Sequence, residues 1–133
     1  MNKDELTALF RRTFKTGILR RVPKKTKDAA AVLALSIVSL DADGFYDENE
    51  IDLHLTSWLE GIGSEHGNAD HVTWRRALVD YGFLRRATDG VIYRVDAQRI
   101  DESITAEARA VNPKRIFAEV ELARIERQNK YRE

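Results

Sequence analysis

The stretch Thr73–Arg86, TWRRALVDYGFLRR, sets two arginine pairs, Arg75-Arg76 and Arg85-Arg86, around an amphipathic run that reaches Gly82. A guanidinium fork can grip a phosphate, or it can satisfy the carboxylates of its own protein. Helical spacing turns Trp74, Leu78 and Tyr81 to one side, which leaves Thr73, Arg76 and Asp80 on the other and Arg75 at the flank. Two readings stay open. In the first, Thr73, Arg75 and Arg76 meet base edges and phosphates of double-stranded DNA. Arg86 and Arg94 then add phosphate contacts, and Lys24 and Lys25 of RRVPKKTK lie along the backbone. In the second, Arg76 pairs with Asp80 one turn on, Arg75 with a carboxylate such as Asp47 or Glu50, and the rest are solvated.

Other constellations carry less chemistry. Ser39–Glu50, SLDADGFYDENE, overlaps the spacing of a calcium loop, with Asp41, Asp43, Gly44, Asp47 and Glu50 in register. Its first position is Ser where Asp is nearly obligatory, its eighth is Tyr, and no second loop pairs with it. A turn followed by a helix cap explains the same residues. His54, His66 and His71 have no metal-ligand spacing, although His66 and His71 flank Asp70 in a glycine-rich stretch. The serines sit in no nucleophile motif and Gly61-Ile62-Gly63 is no phosphate loop. There is no cysteine, which excludes disulfides, thiol catalysis and cysteine-built zinc sites. These observations predict a protein that is not an enzyme and needs no metal or cofactor.

The charges are sorted along the chain. Phe10–Lys27 holds eight basic residues and no acid, residues 28–74 hold ten acids and no Lys or Arg, and Arg75–Arg99 sets six arginines against three aspartates. The neutral total therefore hides a dipolar chain, in which only the first and third segments could attract phosphate. Apolar residues make up 43% and charged residues 33% of the 133, as in a soluble globular domain. No apolar run approaches a membrane span, and MNKDELTALFRRTF has charges inside its apolar part and no small-residue cleavage site. A cytoplasmic protein without membrane association is expected.

The elements that must position these residues follow from periodicity and caps. A first helix over 3–15 carries Leu6, Leu9, Phe10 and Phe14 behind an Asn2 cap and stops at Gly17. Residues 27–39 are apolar nearly all round, which predicts a central buried helix. LDADGF reads as a turn, and Asp47 with Glu50 as a capping box opening a helix that carries Ile51, Leu55, Trp58 and Leu59. A loop over EGIGSEHGNAD leads to a helix over 70–81, and Gly82 stops it. FLRRA and VIYRV, joined by Thr88-Asp89-Gly90, read as a hairpin. After a short polar connection, Asn112 caps and Pro113 opens a last helix to about residue 130, with Ile116, Phe117, Val120 and Ile125 on one side and a Glu126–Lys130 pair.

Three helices followed by a hairpin make a winged helix-turn-helix arrangement. The predicted fold class is mainly α with a small β-hairpin: a single domain with an N-terminal helix (1–19), a winged-helix-like core (20–95) and a C-terminal helical extension (96–133).

The residues also resemble an uncharacterised bacterial winged-helix-like family, DUF2087, often attached to transcription regulators. The resemblance rests on Val22-Pro-Lys-Lys25, on Tyr46-Asp-Glu-Asn-Glu-Ile51, on the run from Asp70 through Thr73-Trp-Arg-Arg-Ala-Leu-Val-Asp-Tyr-Gly82 to Arg86, and on Asp89-Gly-Val-Ile-Tyr93. In the second element Asp47 stands where Thr is usual, and the loop before Asp70 is longer than usual. The resemblance implies a winged-helix-like fold and an association with gene regulation, and it brings no enzyme activity. Two functions are carried forward: a small DNA-binding regulator or accessory factor, and a protein-interaction module whose acidic 41–70 surface binds a basic partner. The apolar faces of the terminal helices leave packing in cis or a homodimer seam as alternatives.

Overall fold

The computed structural model describes residues 1–63, 69–87 and 92–132. In chain order these form α1 (Lys3–Lys15), α2 (Thr26–Ser36), β1 (Phe45–Asp47), α3 (Glu48–Leu59), α4 (His71–Asp80), β2 (Leu84–Arg86), β3 (Ile92–Val95), α5 (Ala97–Ser103), a short 3-10 turn (Glu107–Ala110) and α6 (Pro113–Arg132). The strands pair in the order β1-β3-β2, all antiparallel. Helix, strand, two helices and two strands, closed by the first strand against the last, give a winged-helix-like core with further helices at both ends. None of the described helices is long and apolar enough to cross a membrane.

Composition explains the centre. Every residue of α2 from Ala29 to Ser36 is buried, because a helix apolar on all sides is satisfied only when neighbours surround it. Its one buried hydroxyl, on Ser36, donates to the Leu33 carbonyl one turn back. The same core holds Ile51, Leu55 and Leu59 of α3, Trp74 and Leu78 of α4, Phe83, and Leu84, Tyr93 and Val95 of the sheet. Trp58 lies half-buried with its ring centroid 5.7 Å from that of Trp74.

The sheet has one strand more than the predicted hairpin. The tight DADG turn, with the Gly44 N–H donating to the Asp41 carbonyl and Asp43 at a positive φ of 54°, swings residues 45–47 alongside β3. The Tyr46 hydroxyl then accepts from the Asp41 N–H at 2.8 Å. Three residues ending at a helix cap are too few for an alternation pattern, so the segment reads as turn and cap alone. The hairpin turn predicted at Thr88-Asp89-Gly90 lies outside the described residues.

The polar connection before α6 is also structured. Asp96 caps α5 by accepting the Arg99 N–H at 3.0 Å, while Ile100, Ile104, Ala108 and Val111 anchor the segment. The terminal helices pack in cis: Leu6, Phe10 and Phe14 of α1 are buried, and Phe14 meets Phe117 of α6 edge to face at 5.2 Å. Arg124 of α6 donates to the carbonyls of Phe14 and Lys15 at the end of α1, where the helix leaves acceptors unpaired. The apolar side of α6 does not extend as far as predicted. Ile116 and Val120 are buried, but Ile125 is 49% exposed, along with Leu122, and no Glu126–Lys130 ion pair forms. Beyond Arg124 the helix has outrun the body it packs on.

Candidate nucleic-acid interface

The helix that carries the candidate residues is fixed at both ends. Asp70 caps α4 by accepting the Thr73 N–H at 2.8 Å. That bond holds the Asp70 carboxyl below its ordinary range. At the other end Gly82 takes a φ of +83°, which a side chain would strain. Trp74 and Leu78 point inward, so successive residues of the helix meet different surroundings.

Arg75 and Arg76 diverge as a result. Arg75 is turned into the seam with α3, where its side chain is 13% exposed and forms ion pairs with Asp52 and, at 2.9 Å, with Glu48. Burial alone would depress its basicity; the hydrogen bond and charge of Asp52, with the charge of Glu48, outweigh it and raise the guanidinium above its ordinary value. Its partners are not the predicted Asp47 or Glu50, because those two close the capping box on each other's N–H groups. That engagement is also how the would-be calcium loop spends its last two acids.

Arg76 projects to solvent and forms no ion pair among the described residues; the predicted partner, Asp80, is exposed nearby without bonding it. It stands between two grooves. One, of about 410 Å³, lies between α4 and the linker before α2, with Pro23, Lys24, Thr73, Arg76 and Asp80 on its walls. The other, of about 320 Å³, lies between α4 and the sheet, with Arg75, Arg76, Asp80, Arg86 and Tyr93. The tertiary structure therefore gathers Lys24, Thr73, Arg76 and Arg86 from three separate segments. Around the grooves, Lys24 and Arg76 stand beside the exposed acid Asp80 among the described residues.

The other candidates lie differently. The Thr73 hydroxyl is already bonded to Asp70 at 3.2 Å. Arg86 rests over the Tyr93 ring at 5.7 Å, on the sheet face toward α4. Arg94 falls on the opposite face by strand alternation, over Phe45 and 3.7 Å from Asp43, so it does not join Arg86. Arg85 shares that outer face and pairs with Asp96 at 3.0 Å. Lys25 is exposed on the linker at the N-cap of α2 and does not wall either groove. His66 lies outside the described residues; His54 holds its Nε2 at 2.7 Å from the Ser36 carbonyl, and His71 begins α4.

One positioning residue escaped sequence reasoning. Arg99 of α5 donates to the Tyr81 carbonyl at the end of α4 at 2.9 Å and to the Ser103 hydroxyl at 2.8 Å, with its guanidinium 4.7 Å over the Phe83 ring. It ties the C-terminal extension to the end of the candidate recognition helix. A lone arginine in a polar stretch gives no signal of this in the sequence.

No curated protein and no solved structure matches the chain. The family model of uncharacterized proteins conserved in bacteria, DUF2087, matches residues 18–95, which begin just before the basic linker and end with β3. That span takes in both grooves and more than half the chain, and the protein belongs to this family of uncharacterized bacterial proteins.

Proposed function

We propose that the protein is a small, non-enzymatic double-stranded-DNA-binding factor that acts in transcription regulation through the exposed side of α4. The observation that carries this reading is the position of Arg76. It forms no ion pair among the described residues and stands on the third helix of the core, at the junction of two grooves, one of which also exposes Lys24. In a helix-turn-helix reader this helix enters the major groove, and flanking cations hold the phosphates on either side. Lys24 and Arg76 support modest, salt-dependent affinity. Fluorescence polarisation on a random duplex at low salt tests it. Binding should weaken steeply with added salt, and Arg76→Ala combined with Lys24→Ala should reduce it with the fold intact. Absence of binding at low salt sinks the reading.

A second reading has its own support. The first turn of α3, which in a helix-turn-helix lies near the DNA backbone, carries Glu48 and Glu50 and no base. Its outer side shows Leu53 at 72% exposure, and Phe45 stands exposed on the adjoining strand. An acidic rim with apolar residues suits a basic protein partner better than phosphate. A pull-down lost on Leu53→Asp, with DNA binding absent, would favour this alternative.

A further inference from the structure

A cleft away from both grooves lies where the C-terminal extension meets α2 and α3. It holds about 540 Å³, enough for a small organic molecule. Leu35 and Val38 of α2, Ile62 and Val111 make its apolar lining, with half-buried Trp58 beside them. His54 also lines it, anchored through Nε2 to the Ser36 carbonyl; because a carbonyl can only accept, that nitrogen carries the proton.

The charge of the cleft runs against its neighbourhood. Residues 28–74 contain ten acids and no Lys or Arg, yet no carboxylate lines the cleft among the described residues. Its one fully charged group, Lys114, arrives from the start of α6. The Lys114 ammonium donates to the Ser57 carbonyl at 2.8 Å, which fixes it at the cleft wall. It has no carboxylate partner among the described residues, so its remaining hydrogens can still be donated. Asn112, which caps α6 through the Arg115 N–H at 3.2 Å, brings the positive end of that twenty-residue helix to the same wall.

We propose that this cleft binds a small organic carboxylate with an apolar body about the size of a fused ring pair, its acid group on Lys114 and its body along Trp58, Leu35, Val38 and Ile62. A cation is disfavoured by Lys114 and by the helix end. A neutral molecule forfeits the charge-assisted bond. The cleft shares no lining residue with the α4 grooves, so this proposal and the DNA reading stand or fall separately.

The test uses 2-naphthoate and its neutral analogue 2-naphthamide as probes of the full chain, with tryptophan fluorescence for affinity and amide NMR shifts for location. Naphthoate should bind saturably and move the amides of Ser57, Val111 and Lys114, with naphthamide weaker on the order of tenfold. Lys114→Gln, at an exposed position, should bring naphthoate down to the naphthamide level while the thermal melt is unchanged. Three results would each overturn the proposal: no saturable binding, equal binding of acid and amide, or shifts centred on Arg76 in place of Lys114. Unchanged naphthoate affinity in folded Lys114→Gln would do the same.

Discussion

Two regions one residue apart on α4 use the same side chain in opposite ways. In the seam with α3, Arg75 is nearly enclosed and neutralised by Asp52 and Glu48. On the groove side, Arg76 is exposed and forms no ion pair among the described residues. The two differ by about 100° around the helix, and that turn decides whether an arginine meets its own protein's acids or open solvent. The acidic α3 therefore has two jobs to reconcile. It supplies the counter-charges that hold α4 in place, and the excess acid it presents outward works against a phosphate backbone on that side.

The largest expected effect belongs to the seam. Arg75→Ala should cost about 2 kcal/mol of stability, because Asp52 is left partly buried without its partner; urea denaturation measures it. Arg75→Lys should recover only part of the loss, since an ammonium cannot serve two carboxylates with the geometry of a fork. If both variants melt like the parent, the seam is not structural and the contrast with Arg76 dissolves.

Next comes the groove. Arg76→Ala with Lys24→Ala should weaken duplex binding on the order of tenfold and flatten its salt dependence by about two phosphate contacts. Stability should shift by less than about 0.5 kcal/mol. A large stability loss here would mean that the groove cations are structural after all. Arg94→Ala, on the far sheet face, is the internal control: its affinity and stability should both match the parent.

The helix cap gives a smaller and pH-dependent effect. The Thr73 N–H holds the Asp70 carboxyl below its ordinary value of 3.8, so the folded state favours the charged form. The stabilisation is therefore complete above roughly pH 4 and is lost as the pH falls through the lowered folded value. Asp70→Ala should cost about 1 kcal/mol at neutral pH. Asp70→Asn should keep most of the cap while removing this contribution to acid sensitivity, read from denaturation midpoints on either side of that pH.

Much of the scaffold was legible because its signals are local. The caps at Asn2, Asp47 and Asp70, the stop at Gly82 and the mostly apolar α2 each depend on residues within a turn or two of one another. What escaped was either too short or too polar to leave a period. β1 exists because β3 offers it an edge, and α5 because Ile100 and Ile104 find a place beneath a polar sequence. The site was half legible: the α4 residues share one helix face by spacing alone, but nothing local joins Lys24 to Thr73 or parts Arg94 from Arg86.

By itself the sequence determined the helices, their caps, the buried α2 and the segregation of charge, since each follows from neighbours in the chain and from the 3.6-residue turn. Only the tertiary structure decided which charges remain available. Glu48 and Asp52 claim Arg75 across a gap of more than twenty residues, and Asp43 engages Arg94 across about fifty. Lys114 reaches Ser57 from the far end of the chain. Ion pairs form between groups that packing brings within a few ångströms, and sequence distance carries no information about that.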